Sequence, residues 1–245
     1  MSVFFATALT EDYLPRAERL LDSLADLTSC LNYVVSVRFK LSNGDGYTSR
    51  RLDHSSNCCQ QGQVLDVLPE LTDGRDTLVM ADADAVVQRN PTLSELEFLH
   101  GLGENEIVIG PNRLVPEFGD EEFVEGLPKK TLEEIEPEFG CELSKVAIYN
   151  CGCIAARPTV WKRIRVLYEQ MAPFILPHFE SWRVCQLLMC SVIHKLGLKV
   201  LEMPQSFHSH GHFGLRPEHS IADGKLYHNG ELVFYAHHFK EMGTC

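Results

Sequence analysis

The sequence predicts an α/β protein with a Rossmann-like, mostly parallel central sheet and helices on both faces. Three observations predict it. Short apolar, β-branched runs alternate with segments of helical periodicity through the first 110 residues. That β-α-β-α-β-α-β order is what a helix-covered parallel sheet requires. The 245 residues include 44 % hydrophobic side chains, enough apolar material for one large core. The whole chain, 1–245, is read as a single domain with a long excursion near 113–145.

Each element has its own reason. Residues 2–8 form a short apolar run that opens the chain as a buried strand. Leu14, Ala17, Leu21 and Leu24 recur at helical spacing, which predicts a helix from about Asp12 to Ala25. Residues 32–39 are β-branched and read as a second strand, followed by the turn cluster Asn43-Gly44-Asp45-Gly46. A short helix is expected from about Gln61 to Leu68, broken by Thr72-Asp73-Gly74. Thr77 to Ala81 is a strand that runs straight into Asp82-Ala83-Asp84. Pro91 suits the first turn of a helix over 91–100, and 106–110 is a further strand. The acidic, Pro- and Gly-rich stretch 113–145 interrupts this alternation. Residues 146–156 return to strand character. A helix opened by Pro158 buries Val160, Ile164, Leu167 and Met171 on one face, and a second runs from about Ser181 to Leu196, stopped by Gly197. A strand at 199–203 and a hairpin turning on Asn229-Gly230 complete the reading.

Charge and composition exclude several classes. A formal net charge of −12 argues against binding a nucleic-acid backbone, which depends on clustered Lys and Arg. No apolar stretch approaches the roughly 20 residues of a transmembrane segment. The start Met1-Ser2-Val3-Phe4-Phe5-Ala6 lacks the charged region of a signal peptide. The 9 cysteines are odd in number and include no C-x-x-C pair, so free thiols in a reducing compartment are expected, with the protein soluble and cytoplasmic. Of the 11 histidines, seven lie between His208 and His238, and imidazole is a common metal ligand.

The sharpest chemical signal is Asp82-Ala83-Asp84 at the carboxyl end of a buried strand. In open α/β sheets, ligands bind outside those ends. Two carboxylates spaced i, i+2 can converge on one divalent cation, and oxygen ligands suit Mn²⁺ or Mg²⁺.

With its flanks, Met80-Ala81-Asp82-Ala83-Asp84-Ala85-Val86-Val87 then Asn90-Pro91, this stretch resembles the D-x-D signature of GT-A glycosyltransferases, most closely the glycogenin- and galactosyltransferase-like branch called family 8. Three further segments are similar in the right order. They are Phe5 to Tyr13, Tyr149-Asn150-Cys151-Gly152-Cys153-Ile154 followed by Trp161, and Ser181-Trp182-Arg183-Val184-Cys185-Gln186-Leu187-Leu188. The resemblance spans about residues 4–240. It implies a GT-A fold, with a nucleotide-binding half over 1–110 and a sugar- and acceptor-binding half over 111–245. It implies transfer of a sugar from a nucleotide-sugar donor, UDP-linked by expectation, to a hydroxyl acceptor such as a glycan, with Mn²⁺ or Mg²⁺ as cofactor.

The same resemblance assigns roles to residues. Thr7 and Ala8 meet the base, with Thr10 nearby; Tyr13 stacks on it; Asp82 and Ala83 complete the nucleotide site. Asp82 and Asp84 bind the metal. Asn150 and Gly152 line the sugar pocket, and Gln186 sits on the reacting face, so Asn150 and Gln186 are the catalytic candidates. The third metal ligand is assigned to His238 in Ala236-His237-His238-Phe239-Lys240, with His237 as the alternative. Two departures stand out. The family pattern has Asp where this chain has Cys185, a poor hydrogen-bond acceptor for sugar hydroxyls. The family also carries Lys or Arg where this chain reads Gln60-Gln61-Gly62-Gln63, so Gln63 is the candidate sugar contact, with Gln60, or Arg50 or Arg51 folding in, as the alternatives. His208, His210 and His212 are left over. They sustain a second reading, a metal-dependent hydrolase built on the histidine-rich tail, while the departures at Cys185 and Gln63 sustain a third, an inactive nucleotide-sugar-binding protein on the same fold.

Overall fold

The computed structural model describes residues 2–53, 60–67, 76–110, 136–137, 146–176, 183–210 and 218–237. Its centre is a seven-stranded sheet. In chain order the strands are β1 (Val3–Thr10), β2 (Leu31–Val37), β3 (Thr48–Leu52), β4 (Thr77–Ala81), β6 (Glu106–Ile109), β7 (Cys153–Ala156) and β8 (Lys199–Glu202). A short strand, β5 (Ala85–Val87), follows β4 and belongs to a second sheet. The spatial order of the large sheet is β3-β2-β1-β4-β7-β6-β8. All its pairings are parallel except those of β7, which runs antiparallel to both β4 and β6.

Helices cover both faces, as the sequence predicts. Side chains alternate along β1, so Phe4, Ala6 and Ala8 face one apolar layer while Val3, Phe5 and Leu9 face the other. The first layer is closed by α2 (Gln60–Leu65), α4 (Pro158–Ile175) and α5 (Arg183–Lys195), which contribute Val64, Trp161, Ile164 and Leu188. Trp161 is fully buried there and donates its indole N–H to the Leu78 carbonyl at 3.1 Å, so the largest side chain of the layer has a polar partner. The second layer is closed by α1 (Leu14–Ser23) and α3 (Leu93–His100), with Ala17, Leu20 and Leu99.

Two small sheets lie beyond the large one. The first joins β9 (His208–His210), β13 (Tyr235–His237) and β5 in the order β5-β13-β9. The second is the meander β10 (His219–Ala222), β11 (Lys225–His228) and β12 (Glu231–Leu232). Asn229 and Gly230 both adopt positive φ, 50° and 80°, the turn that an Asn-Gly hairpin favours.

Several boundaries differ from the expectation, each for a local reason. The first helix is split into a 3-10 turn at Glu11–Tyr13, α1 proper, and a second 3-10 turn at Leu24–Asp26. Pro15 sits in the first turn of α1, where its missing N–H costs nothing. α3 does not begin at Pro91. Thr92 caps it, accepting from the Glu95 amide while the Glu95 carboxylate accepts from the Thr92 amide. The strand expected over 146–156 is reduced to β7. The Asn150 side chain accepts the Gly152 amide at 2.9 Å, and this side-chain-to-backbone turn takes the preceding residues out of the ladder. β3, β5 and β10 are short and had no counterpart in the sequence reading, whereas β9 falls where the sequence predicts an extended segment along which His208, His210 and His212 alternate. Apart from residues 136–137, the excursion over 113–145 lies outside the described residues, as do Ser181 and Trp182. No helix among the described residues is long and apolar enough to cross a membrane.

Candidate functional site

The site forms where β4 ends. After Ala81 the chain turns through Asp82-Ala83-Asp84 and re-enters extended structure as β5. Ala83 is buried in the second apolar layer, which turns the two flanking aspartates away from the core. The Asp82 amide is held by the Gly152 carbonyl at 2.9 Å, so the loop before β7 fixes the start of the turn.

The third member arrives from far along the chain. In the small sheet His237 lies opposite Ala85, beside Asp84. Alternation along β13 puts Tyr235 and His237 on the same face, and both reach the turn. The Tyr235 hydroxyl donates to the Asp82 carbonyl. His237 Nε2 stands 3.0 Å from Asp84 Oδ1 and 3.5 Å from Asp82 Oδ2. Asp82, Asp84 and His237 thereby offer three ligand atoms within 4.8 Å of one another. The imidazole is buried, whereas about a quarter of each carboxylate side chain remains accessible, 26 % for Asp82 and 23 % for Asp84. The cluster is thus closed on the protein side and open toward solvent.

Gly152 makes room for that imidazole. A Cβ at this position would stand 2.2 Å from His237 Cε1 and 2.4 Å from Nδ1. Only the absence of a side chain allows the contact. Behind it, the buried His208 ring packs on Tyr235 and His237, with centroids 5.3 and 5.7 Å apart. β13 is seated on the large sheet by aromatic packing of Phe5 against Phe234 and Tyr235. Polar clamps flank β5. The Gln88 side chain bonds the backbone of Leu226 and Val233, and Arg89 bonds Leu232 and Ser206 carbonyls while forming a two-point ion pair with Glu95.

Electrostatics favour a cation here. Burial is the main force on the Asp82 carboxyl; His237 opposes it and Asp84 adds to it, and the net result is a carboxyl pushed up to about 6. The Tyr13 hydroxyl donates to Asp84 Oδ2 at 3.0 Å. Burial, then the Asp84 charge, raises that phenol well above its ordinary range, so it stays a donor at neutral pH. The Arg16 guanidinium lies over the Tyr13 ring, 5.4 Å from its centroid.

Set against the sequence expectations, the structure brings Tyr13, Asp82, Ala83, Asp84, Asn150 and Gly152 into one neighbourhood. Thr7, Ala8 and Thr10 belong to β1, which runs four residues past its last pairing with β4 at Ala6↔Met80. Gln63 is buried on α2. Cys185 and Gln186 are half-buried in the first turns of α5, with Cys185 near enough to Cys151 to influence its thiol. His238 lies outside the described residues, as does His212; the imidazole that meets the aspartates is that of its neighbour His237. Sequence reasoning missed Tyr235, Gln88 and Arg89. Tyr235 had a legible signal, because it stands two residues before a histidine on an apolar strand.

No family model matches the sequence, and no curated protein matches it. Solved structures do. One is a galactosyltransferase, LgtC, in complex with donor and acceptor sugar analogues. The two share 13 % identity, the superposition covers 97 % of this chain and 86 % of that one, and the TM-score is 0.55. Another is the apo-form glycosyltransferase GlyE of Streptococcus pneumoniae TIGR4, at 13 % identity, with 84 % of this chain and 46 % of that one covered and a TM-score of 0.52. The fold is one that glycosyltransferases use. It is the mixed α/β, GT-A-like architecture that the sequence predicted.

Proposed function

We propose that this protein is a metal-dependent glycosyltransferase of the GT-A, family 8 kind, taking a nucleotide-sugar donor, UDP-linked by preference, and a hydroxyl acceptor. The carrying observation is the Asp82–Asp84–His237 cluster at the carboxyl end of β4, in a fold shared with glycosyltransferases. Two carboxylate oxygens and an imidazole nitrogen suit Mn²⁺ better than Mg²⁺, which prefers oxygen ligands alone. The Gly152 cradle around His237 and the carboxyl raised on Asp82 fit a cation, since a positive charge relieves both the burial of Asp82 and its repulsion from Asp84. When bound, the ion would supply positive charge against the diphosphate leaving group.

The remaining work falls to the protein. Tyr13 and Tyr235 hold the two ends of the aspartate turn, so the ligands need little reorganisation. The end of β1, with Thr7, Ala8 and Thr10, forms the base-side wall, and Tyr13 also presents its ring there. Asn150 commits its carbonyl oxygen to the Gly152 amide, so its Nδ2 is the end that donates to a sugar hydroxyl. Gln186 is assigned to the reacting face, with Cys185 and Gln63 lining the sugar site. Cys185 in place of a carboxylate removes a strong acceptor, which favours a donor sugar lacking the hydroxyl that such an acceptor would bind.

A thermal-shift screen of nucleotide sugars, with and without Mn²⁺, tests the proposal. Stabilisation by a nucleoside diphosphate sugar only when Mn²⁺ is present supports it. Asp84→Asn should abolish Mn²⁺-dependent turnover or donor hydrolysis, and full activity in that variant would sink the reading.

A further inference from the structure

Beneath the proposed sugar-binding loop lies a pair of thiols with no part in the chemistry above. Cys151 precedes Gly152, and Cys190 lies on the inner face of α5. Both are 1 % exposed, and their sulfurs are 4.0 Å apart in the first apolar layer. They are not passive filling. The Tyr149 amide donates to Cys190 Sγ at 3.3 Å, and the thiols of Cys151 and Cys190 both point to the Tyr149 carbonyl, at 3.6 and 3.8 Å. Sulfur is thus what ties the backbone of Tyr149 to α5.

That backbone leads directly into the site. Asn150 follows Tyr149 and shapes the turn that presents Gly152. Gly152 holds the Asp82 amide through its carbonyl and lies in close contact with the His237 ring. A disulfide needs sulfurs about 2.05 Å apart, so closure requires about 2 Å of approach, supplied by turning the two side chains and by moving the loop and α5. It also removes both thiol protons, leaving the Tyr149 carbonyl without its sulfur donors. The space between Gly152 and the His237 ring is too small for even a Cβ, so the loop cannot move toward the imidazole without displacing it.

We propose that Cys151 and Cys190 are a dithiol modification site, closed to an intramolecular disulfide by a low-molecular-weight disulfide oxidant, and that closure weakens cation binding at Asp82, Asp84 and His237. The second half rests on the metal reading under Proposed function. The step balances as two exchanges. One thiolate attacks the small disulfide and expels a thiol, and the second thiolate then attacks the mixed disulfide and expels another. The protein loses two electrons and two protons, and the oxidant is reduced to two thiols. Burial holds the Cys151 thiol well above its ordinary range, so the reaction proceeds through local opening and is slow.

The test uses the full chain in reduced form. It is treated with excess oxidised glutathione, mapped by proteolysis under non-reducing conditions, and titrated with Mn²⁺ by electron paramagnetic resonance before oxidation, after it, and after re-reduction with a phosphine. The expected result is a peptide pair linking Cys151 to Cys190, with Mn²⁺ affinity falling about 10-fold or more and recovering on reduction. Cys151→Ala and Cys190→Ala should bind Mn²⁺ before treatment and show no such loss after it. Thiols that remain unlinked to each other after complete treatment overturn the site. A confirmed crosslink with unchanged Mn²⁺ affinity overturns the coupling. If the reduced protein binds no Mn²⁺, the metal reading falls and the coupling with it, whereas the crosslink is still decided by the peptide map.

Discussion

Replacing Asp82 by Asn should stabilise the metal-free protein and at the same time remove its response to metal. Asp82 stands in a buried turn beside Asp84, and its carboxyl is raised from 3.8 to about 6. Two units of displacement correspond to about 3 kcal/mol between the protonated and charged forms; solvent reaching a quarter of the side chain trims this to about 2 kcal/mol. The sign follows from linkage. A carboxyl raised in the folded state binds its proton more tightly there than in the unfolded chain. Its stabilising contribution is therefore complete below about 4 and is lost as pH rises through about 6. Wild type and Asp82→Asn should melt together near pH 4. They should separate as pH rises, until at pH 8 the variant melts about 4–8 °C higher without metal. Adding Mn²⁺ should reverse the order, raising the melting temperature of wild type and leaving the variant unmoved. Differential scanning calorimetry across pH, with and without Mn²⁺, reads every arm. A variant less stable than wild type at pH 8 without metal, or one still stabilised by Mn²⁺, would refute the reasoning.

Other perturbations probe the supports of the site. Tyr13→Phe keeps the ring but deletes the 3.0 Å donor to Asp84; Mn²⁺ affinity should fall about 10-fold while nucleotide affinity at saturating Mn²⁺ holds, as titration calorimetry would show. Gly152→Ala forces a Cβ into the His237 ring; a loss of about 1–3 kcal/mol in urea unfolding and of measurable Mn²⁺ binding is expected. Arg89→Met strands the buried Glu95 carboxylate and frees the Ser206 and Leu232 carbonyls; about 3 kcal/mol of stability should go, and Glu95→Gln added to it should restore part. Mn²⁺ affinity of wild type should itself weaken as pH falls through about 6, because a proton on Asp82 competes with the ion.

The strands and helices that carry a strong period were legible in the sequence. β1 and β4 are continuous apolar runs because both faces of the sheet are covered, and α4 declares its buried stripe through Val160, Ile164 and Met171. The small sheet was not legible. β13 reads as the end of an apolar strand, but β5 is three residues long, too short for a period, and the pairing of the two depends on Phe5, Phe234 and the Arg89 clamp rather than on propensity. Asp82 and Asp84 were legible because the strand before them is unmistakable. The choice between His237 and His238 was not, because adjacent residues on a strand face opposite ways and only the register against Ala85 sets which imidazole faces the turn.

That register has a temporal meaning. Asp84 and His237 are 153 residues apart, and every strand of the large sheet is complete by Glu202. At typical synthesis speeds about 8–30 s separate the emergence of the two ligands from the ribosome. A nascent chain can thus assemble its main sheet while still lacking the imidazole that completes the cluster. Under the proposed metal reading, a cation held by Asp82, Asp84 and His237 together would bind only after β13 has docked, so it would report completed assembly rather than seed it.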